Sequence, residues 1–204
     1  MKFILLVEGH TEARALPAFL KRWLDEKLES PVGIQAVRFE GWNEFRKGVK
    51  KKALLYLNGP EQNNIVAVIG LLDLYGPTFY PAHLNNAQER CVWAKDYFES
   101  EVGHRKFRQF FSVHEVEAWL LSQPELFPGA VRSSFPGRVA EPESVNFQRP
   151  PSKLLSEPYQ QRLKQTYKKI THGKELFDRL DPITAYNRCP NLRAMLNEML
   201  SLAS

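Results

Sequence analysis

Four acidic residues stand directly after apolar runs. Glu8 follows Phe3-Ile4-Leu5-Leu6-Val7, Asp73 follows Ile65-Val66-Ala67-Val68-Ile69-Gly70-Leu71-Leu72, and Glu115 and Glu117 follow Phe110-Phe111-Ser112-Val113. An acid carried at the end of a buried strand reaches the carboxyl edge of a sheet, where open α/β folds bind ligands. Carboxylates from separate strand ends meet only through folding, and three or four together repel one another unless a cation sits among them. Mg²⁺ (or Mn²⁺) suits such an all-oxygen set, because Mg²⁺ binds through one or two carboxylates, keeps several waters and takes substrate phosphate as a further ligand. The chemistry expected is phosphoryl transfer, with an ion that polarises a phosphoryl oxygen or activates a water for in-line attack.

Each candidate also has a plainer reading. Glu115 and Glu117 fall where a short helix over 114–121 would begin, and acids there are favoured by the helix dipole. Glu12 reads first as an ordinary acid in the first turn of a helix. His114 either orients a carboxylate or is simply packed. Lys153 and Lys169 lie in a lysine-rich helical region that reads equally as phosphate contacts or as a solvated face. Lys50, Lys51 and Lys52 read as a solvated face, since no aromatic residue interleaves them as a stacking platform would require.

The elements that must position these groups alternate between strand and helix. After the first strand, Thr11 is a plausible cap for a helix over about 12–28, with Ala13, Leu16, Leu20, Trp23 and Leu24 at helical spacing and Pro17 as a source of a kink. A shorter strand over 34–39 and a helix through Trp42, Phe45, Val49, Ala53 and Tyr56 follow, then the long apolar run ending at Asp73. Such a continuous run of branched residues is what a parallel strand covered on both faces requires. Residues 74–81 form a rigid aromatic loop, Asn85 or Asn86 caps a third helix, and a fourth strand covers 110–113. The alternation implies right-handed crossovers and a parallel α/β sheet of about four strands flanked by helices. Residues 1–127 make this core. Residues 128–151, with five prolines and with Arg132, Arg138 and Arg149, are expected as a flap or loop. Residues 152–204 form a C-terminal helical extension in which Pro190 opens the last helix, the whole making a single domain.

Composition narrows the class. The 204 residues suffice for one domain with a substantial core, and no apolar run reaches the roughly 20 residues that span a bilayer. Glu8 interrupts the opening apolar stretch and no cleavage site follows, so no export signal is expected. Cys91 and Cys189 lie far apart and outside any metal spacing, as reduced, packed thiols of a cytoplasmic protein do. An excess of 28 Lys and Arg over 23 Asp and Glu favours a polyanionic partner.

Val7-Glu8-Gly9-His10-Thr11-Glu12 after a first strand, with an acid closing the third, resembles the Toprim fold of primases, topoisomerases and related nucleases. In that fold the first glutamate acts in acid/base work or metal binding, and a D-x-D triplet holds Mg²⁺. Here the triplet is Asp73-Leu74-Tyr75, so the second aspartate is absent. Over nearly the whole chain, the ordered set of the first motif, Asp73-Leu74-Tyr75-Gly76, His114-Glu115-Val116-Glu117-Ala118-Trp119, Pro150-Pro151-Ser152-Lys153, Tyr167-Lys168-Lys169 and Arg188-Cys189-Pro190 resembles the domain-of-unknown-function 4276 family. That resemblance implies a Toprim-like, bacterial nuclease working beside an ATPase in defence against phage. Carried over by position, Glu8 serves as metal ligand or general base, Asp73 and Glu117 as ligands, and Glu115 or Glu117 in place of the missing aspartate. Gly9, Thr11, Lys153 and Lys169 become contacts to phosphate or nucleic acid. The alternative is a non-catalytic Toprim-like subunit that binds a nucleotide or a partner protein. A phosphoacceptor receiver domain is set aside, because it needs paired acids after the first strand and only Glu8 stands there.

Overall fold

The computed structural model describes residues 1–145 and 149–204. The side chain of Arg138 lies outside the described residues. The first half is the strand–helix alternation expected: β1 (Lys2–Val7), α1 (His10–Asp25), β2 (Gly33–Arg38), α2 (Trp42–Leu57), β3 (Ile65–Asp73), α3 (Ala87–Val102) and β4 (Phe107–Ser112). All strand pairings are parallel, in the order β2-β1-β3-β4.

That order has a functional consequence. The chain steps from β1 to β2 on one side, then crosses back to β3 and β4 on the other, so the direction of winding reverses between β1 and β3. Right-handed crossovers then put α1 on one face and α2 and α3 on the opposite face. In open α/β sheets ligands bind where the winding reverses, and here that point lies at the carboxyl ends of β1 and β3, which carry Glu8 and Asp73.

Alternate residues of each strand point to opposite faces. Phe3, Leu5, Val7, Ala67, Ile69 and Leu71 pack with α1, while Ile4, Leu6, Val68 and Leu72 pack with α2 and α3. Inside β3, Gly70 has a packing role. A Cβ there would come within 2.2 Å of the Gln109 side-chain oxygen, so glycine leaves room for a buried glutamine from β4.

The second half is helical: α4 (Glu117–Leu121), α5 (Gly129–Arg132), α6 (Pro151–Leu163), α7 (Lys169–Arg179), α8 (Pro182–Arg188) and α9 (Pro190–Ala203). Pro190 opens α9, which buries Leu192, Met195, Leu196 and Met199 against the α1 face. Segment 128–151, expected as a flap, contains α5 and two short 3₁₀ turns. Its Val131, Val139 and Val145 are buried in the same core, because valines spaced along these turns give the segment an apolar inner side. No helix among the described residues is long and apolar enough to cross a membrane.

Two local expectations are corrected. Gly9, and not Thr11, is the N-cap of α1; Thr11 sits inside the first turn and is buried. The helix expected to begin at His114 begins at Glu117, so Glu115 lies in the connection before it.

Candidate metal centre

Three parallel strand ends deliver the acids. β1 hands over to Glu8, β3 ends on Asp73, and β4 ends on Ser112, paired with Asp73, before the chain turns through His114 and Glu115 into Glu117. Asp73, Glu115 and Glu117 are all buried and each offers a carboxylate oxygen within 4.8 Å of the others. Such an assembly of acids needs either protons or a cation to be stable.

The surroundings distinguish the four carboxylates. Asp73 Oδ1 accepts from Ser112 Oγ at 2.5 Å and from the Val116 backbone N–H at 3.0 Å, which fixes its orientation. Glu115 is engaged at both oxygens by Ser152, whose backbone N–H donates to Oε2 at 2.7 Å and whose hydroxyl donates to Oε1 at 2.9 Å. It thereby satisfies a first-turn N–H of α6, a group with no partner inside the helix. Glu117, 1 % exposed, has Oε1 3.1 Å from Lys169 Nζ, while its Oε2 accepts no hydrogen bond. Glu8 Oε2 is likewise buried without a donor.

The electrostatics follow from this crowding. Burial, and then the neighbouring charge of Glu12, raise the Glu8 carboxyl to about 7 against the pull of Lys169. Burial also raises Glu117 to about 7, again against Lys169. Asp73, fully enclosed, is raised well above the ordinary range by burial, with Glu12, Glu8 and Glu117 adding to the shift. Burial of Lys169 opposes its charge, but Glu117, Asp73, Glu115 and Glu12 outweigh it and hold the ammonium above the ordinary lysine range. A lysine at the start of an 11-residue helix is opposed by the helix dipole, so the acids account for its place there.

Two orphaned carboxylate oxygens beside a triad of converging acids fit a divalent cation, which takes oxygen ligands and would offset the repulsion that raises these groups. Asp73, Glu115 and Glu117 are the acids whose oxygens converge closely enough to share it, and Glu117 Oε2 is the one of these left without a donor. Glu115, tied to Ser152, is the member of the triad least available.

Other expected contacts are placed differently. Lys169 joins the acids, whereas Lys153 is exposed on α6 and makes none of the contacts of the cluster. Gly9 caps α1, and a Cβ on it would come 2.6 Å from Glu12 Oε2, so glycine leaves space for the Glu12 carboxylate. Thr11 turns its methyl toward α7, where a Cβ on Gly173 would sit 3.0 Å away. His114 donates from Nδ1 to the Val145 carbonyl at 2.6 Å, anchoring the end of segment 128–145 to the strand end.

Three participants were not singled out from sequence. Glu12, read as a helix acid, is 5 % exposed and acts electrostatically on Glu8, Asp73 and Glu117. Its signal was the Glu8-Gly9-x-x-Glu12 spacing, which lets a strand-end acid and a first-turn acid share one edge. Ser152 and the buried, unpartnered Tyr167 hydroxyl had no signal beyond lying in motifs.

Comparisons with known proteins agree with this architecture. The chain is similar to the C-terminal region of the Burkholderia pseudomallei OLD protein, at 18% identity, with 99% of this chain and 98% of that chain covered and a TM-score of 0.52. It also aligns with the C-terminal region of the Xanthomonas campestris pv. campestris OLD protein, at 19% identity over 97% of each chain, with a TM-score of 0.41. At 18% identity the first likeness concerns the fold alone, a parallel four-stranded sheet flanked by helices. None of the curated proteins compared matches the chain. The model of the domain of unknown function DUF4276 matches residues 7–200, and the chain therefore belongs to that family.

Proposed function

We propose that this protein is a Mg²⁺- or Mn²⁺-dependent phosphodiesterase acting on nucleic acid. The observation that carries the reading is the convergence of Asp73, Glu115 and Glu117, with unsatisfied oxygens on Glu117 and on neighbouring Glu8, at the sheet edge where the winding reverses. A divalent cation held by Asp73 and Glu117 would neutralise a phosphodiester oxygen and activate a water for in-line attack. Glu8, whose carboxyl is raised by burial and by Glu12, stands beside that position as the base that would take the proton from the water. Glu12 adds negative charge beside Glu8 and sustains its proton affinity. Lys169, 40 % exposed at the rim, exchanges its pairing with Glu117 for a non-bridging phosphate oxygen. Glu115 acts through Ser152, holding the start of α6 against the centre.

The test is cleavage of supercoiled DNA, single-stranded DNA and RNA in Mg²⁺ or Mn²⁺, with Glu8→Gln alongside. A loss of at least a hundredfold in the variant supports the reading. Equal behaviour of variant and wild type on every substrate would remove it. The family resemblance adds an expectation of a cytoplasmic, bacterial anti-phage role with an ATPase partner, which co-elution with a co-expressed ATPase would test.

One observation favours a second reading, a non-catalytic subunit that binds a nucleotide or partner. Tyr75 stands where a second aspartate would complete the triplet, and Lys169 already neutralises Glu117. Calorimetric titration separates the two: Mg²⁺ uptake that Asp73→Asn abolishes belongs to the enzyme reading.

A further inference from the structure

The α2/α3 side of the sheet carries a ladder of rings and cations that starts at the same carboxyl edge. α2 begins there, because the Gly41 N–H donates to the Glu8 carbonyl at 2.9 Å, and the next residue is Trp42. The β3–α3 connection begins there as well: the Tyr80 hydroxyl donates to the Leu74 carbonyl at 3.4 Å, beside Asp73, and Tyr80 feels the charges of both Glu8 and Asp73. Running down from the edge, residues four apart lie on one helix face. Trp42, Arg46 and Lys50 of α2 therefore oppose Trp93, Tyr97 and Glu101 of α3.

Phe79 joins the two rows. Its ring is 5.9 Å from both Trp42 and Trp93, and Trp93 stacks on Tyr97 at 5.3 Å and 15°. The Arg46 guanidinium lies 5.5 Å from the Phe79 centroid and 5.9 Å from that of Tyr97, and its Nε donates to the Tyr97 hydroxyl at 3.4 Å. Lys50 reaches Glu101 at 3.7 Å and closes the far end. These rings are half-buried, while Arg46, Lys47, Lys50 and Lys51 are exposed. On the α3 side Asp96 is exposed and Glu101 lies beyond it, and Glu44 is exposed in the first turn of α2, so an anion is favoured along the Arg46–Lys51 stretch and disfavoured past the rings.

We propose that this face is a stacking surface for an unpaired stretch of nucleic acid, whose bases lie on the Trp42–Phe79–Trp93–Tyr97 rings and whose phosphates follow Arg46 and the α2 lysines to the carboxylate centre. Aromatic faces beside a basic track form the sequence-tolerant mode of single-strand binding. The proposal rests on the phosphodiesterase reading for its direction, since the ladder leads to Glu8 and Asp73.

The test is fluorescence anisotropy of the full chain with a labelled single-stranded oligothymidine and with a duplex, in EDTA so that no cleavage intervenes. Trp93→Ala and Arg46→Glu are expected each to weaken single-strand binding about tenfold, within the range of about 5- to 150-fold that a stacked base contributes. Arg46→Glu also gives up the contacts to Phe79 and Tyr97, so circular dichroism and urea unfolding of both variants accompany the binding measurement and must show a native fold. Lys174→Glu, on a helix of the opposite sheet face, controls for net charge and is expected to bind like wild type. Wild-type affinity in both ring-face variants overturns the proposal. So does a wild type that binds no oligonucleotide. Intact ring-dependent binding without any cleavage sensitive to Glu8→Gln would instead leave this surface standing and remove the phosphodiesterase reading.

Discussion

The two faces of the sheet are built from alternate residues of the same strands, yet they are covered differently. On one face, α1 and the C-terminal helices enclose a core that includes Phe19 between Trp119 and Phe177. That cover extends over the carboxyl edge and brings Lys169, Tyr167 and Ser152 toward the acids. On the other face α2 and α3 bury Phe45 and Phe98 but leave Trp42, Phe79, Trp93 and Tyr97 half-buried near the edge. One face thus closes over the carboxylates, and the other keeps a row of half-buried rings beside the same edge. The difference shows how a symmetric scaffold acquires an oriented site, by unequal cover and not by unequal strands.

The largest expected effect lies where the two faces meet. Asp73→Asn should lower Mg²⁺-dependent cleavage by about 10²–10⁴, the range in which loss of a group positioned at the reaction falls, while leaving the chain folded by circular dichroism. Next, Phe19→Ala should destabilise the closed face by about 3–5 kcal/mol, the usual cost of emptying an aromatic core site. Trp93→Ala on the open face should cost less, about 1–2 kcal/mol, because that ring is only half-buried. Equal losses in urea unfolding would break the contrast between the faces.

Lys169→Met removes the cation that pairs with Glu117 at the centre. We expect about 1–3 kcal/mol of destabilisation at pH 8 in EDTA, below the 3–5 kcal/mol of a fully enclosed pair because Lys169 is 40 % exposed. Added Mg²⁺ should recover part of it.

The acids also set a pH dependence. Glu8 and Glu117 titrate near 7 in the folded chain against 4.5 for an ordinary glutamate, so the native state binds more protons between those values. Their contribution is fully present below 4.5 and is lost as pH rises through about 7. In EDTA the melting temperature should therefore be lower at pH 8 than at pH 5, by about 2–4 °C for each kcal/mol lost, and a divalent cation should narrow the gap. Ser152→Ala should have the smallest effect, about 1 kcal/mol, as loss of one hydroxyl bond to Glu115. A large loss of Mg²⁺ affinity in that variant would instead place Glu115 among the ligands.

Much of the scaffold was legible because it rests on local rules. The apolar runs ending at Glu8 and Asp73 identify buried parallel strands, and parallel strands put both acids on one edge whatever the rest of the chain does. Pro190 as the first residue of a helix and Asn86 as a cap, its side chain accepting from the Glu89 N–H, are equally local. Segment 128–151 was less legible, since its buried Val131, Val139 and Val145 follow no single period and are apolar contacts made only on docking.

By itself the sequence therefore determined which strands carry acids and that those acids face one rim. Only the tertiary structure decided what each acid can do. Glu115 and Glu117 are two residues apart and chemically identical, yet one is bound at both oxygens by Ser152 and the other faces Lys169 with an oxygen that has no donor. Glu12 passes from a helix-end acid to part of the centre once it is buried beside Glu8. The Arg46 ladder acquires its rings from residues more than 30 positions away. Proton affinity, ligand availability and stacking depend on dielectric and distance between residues far apart in sequence, and folding alone sets both.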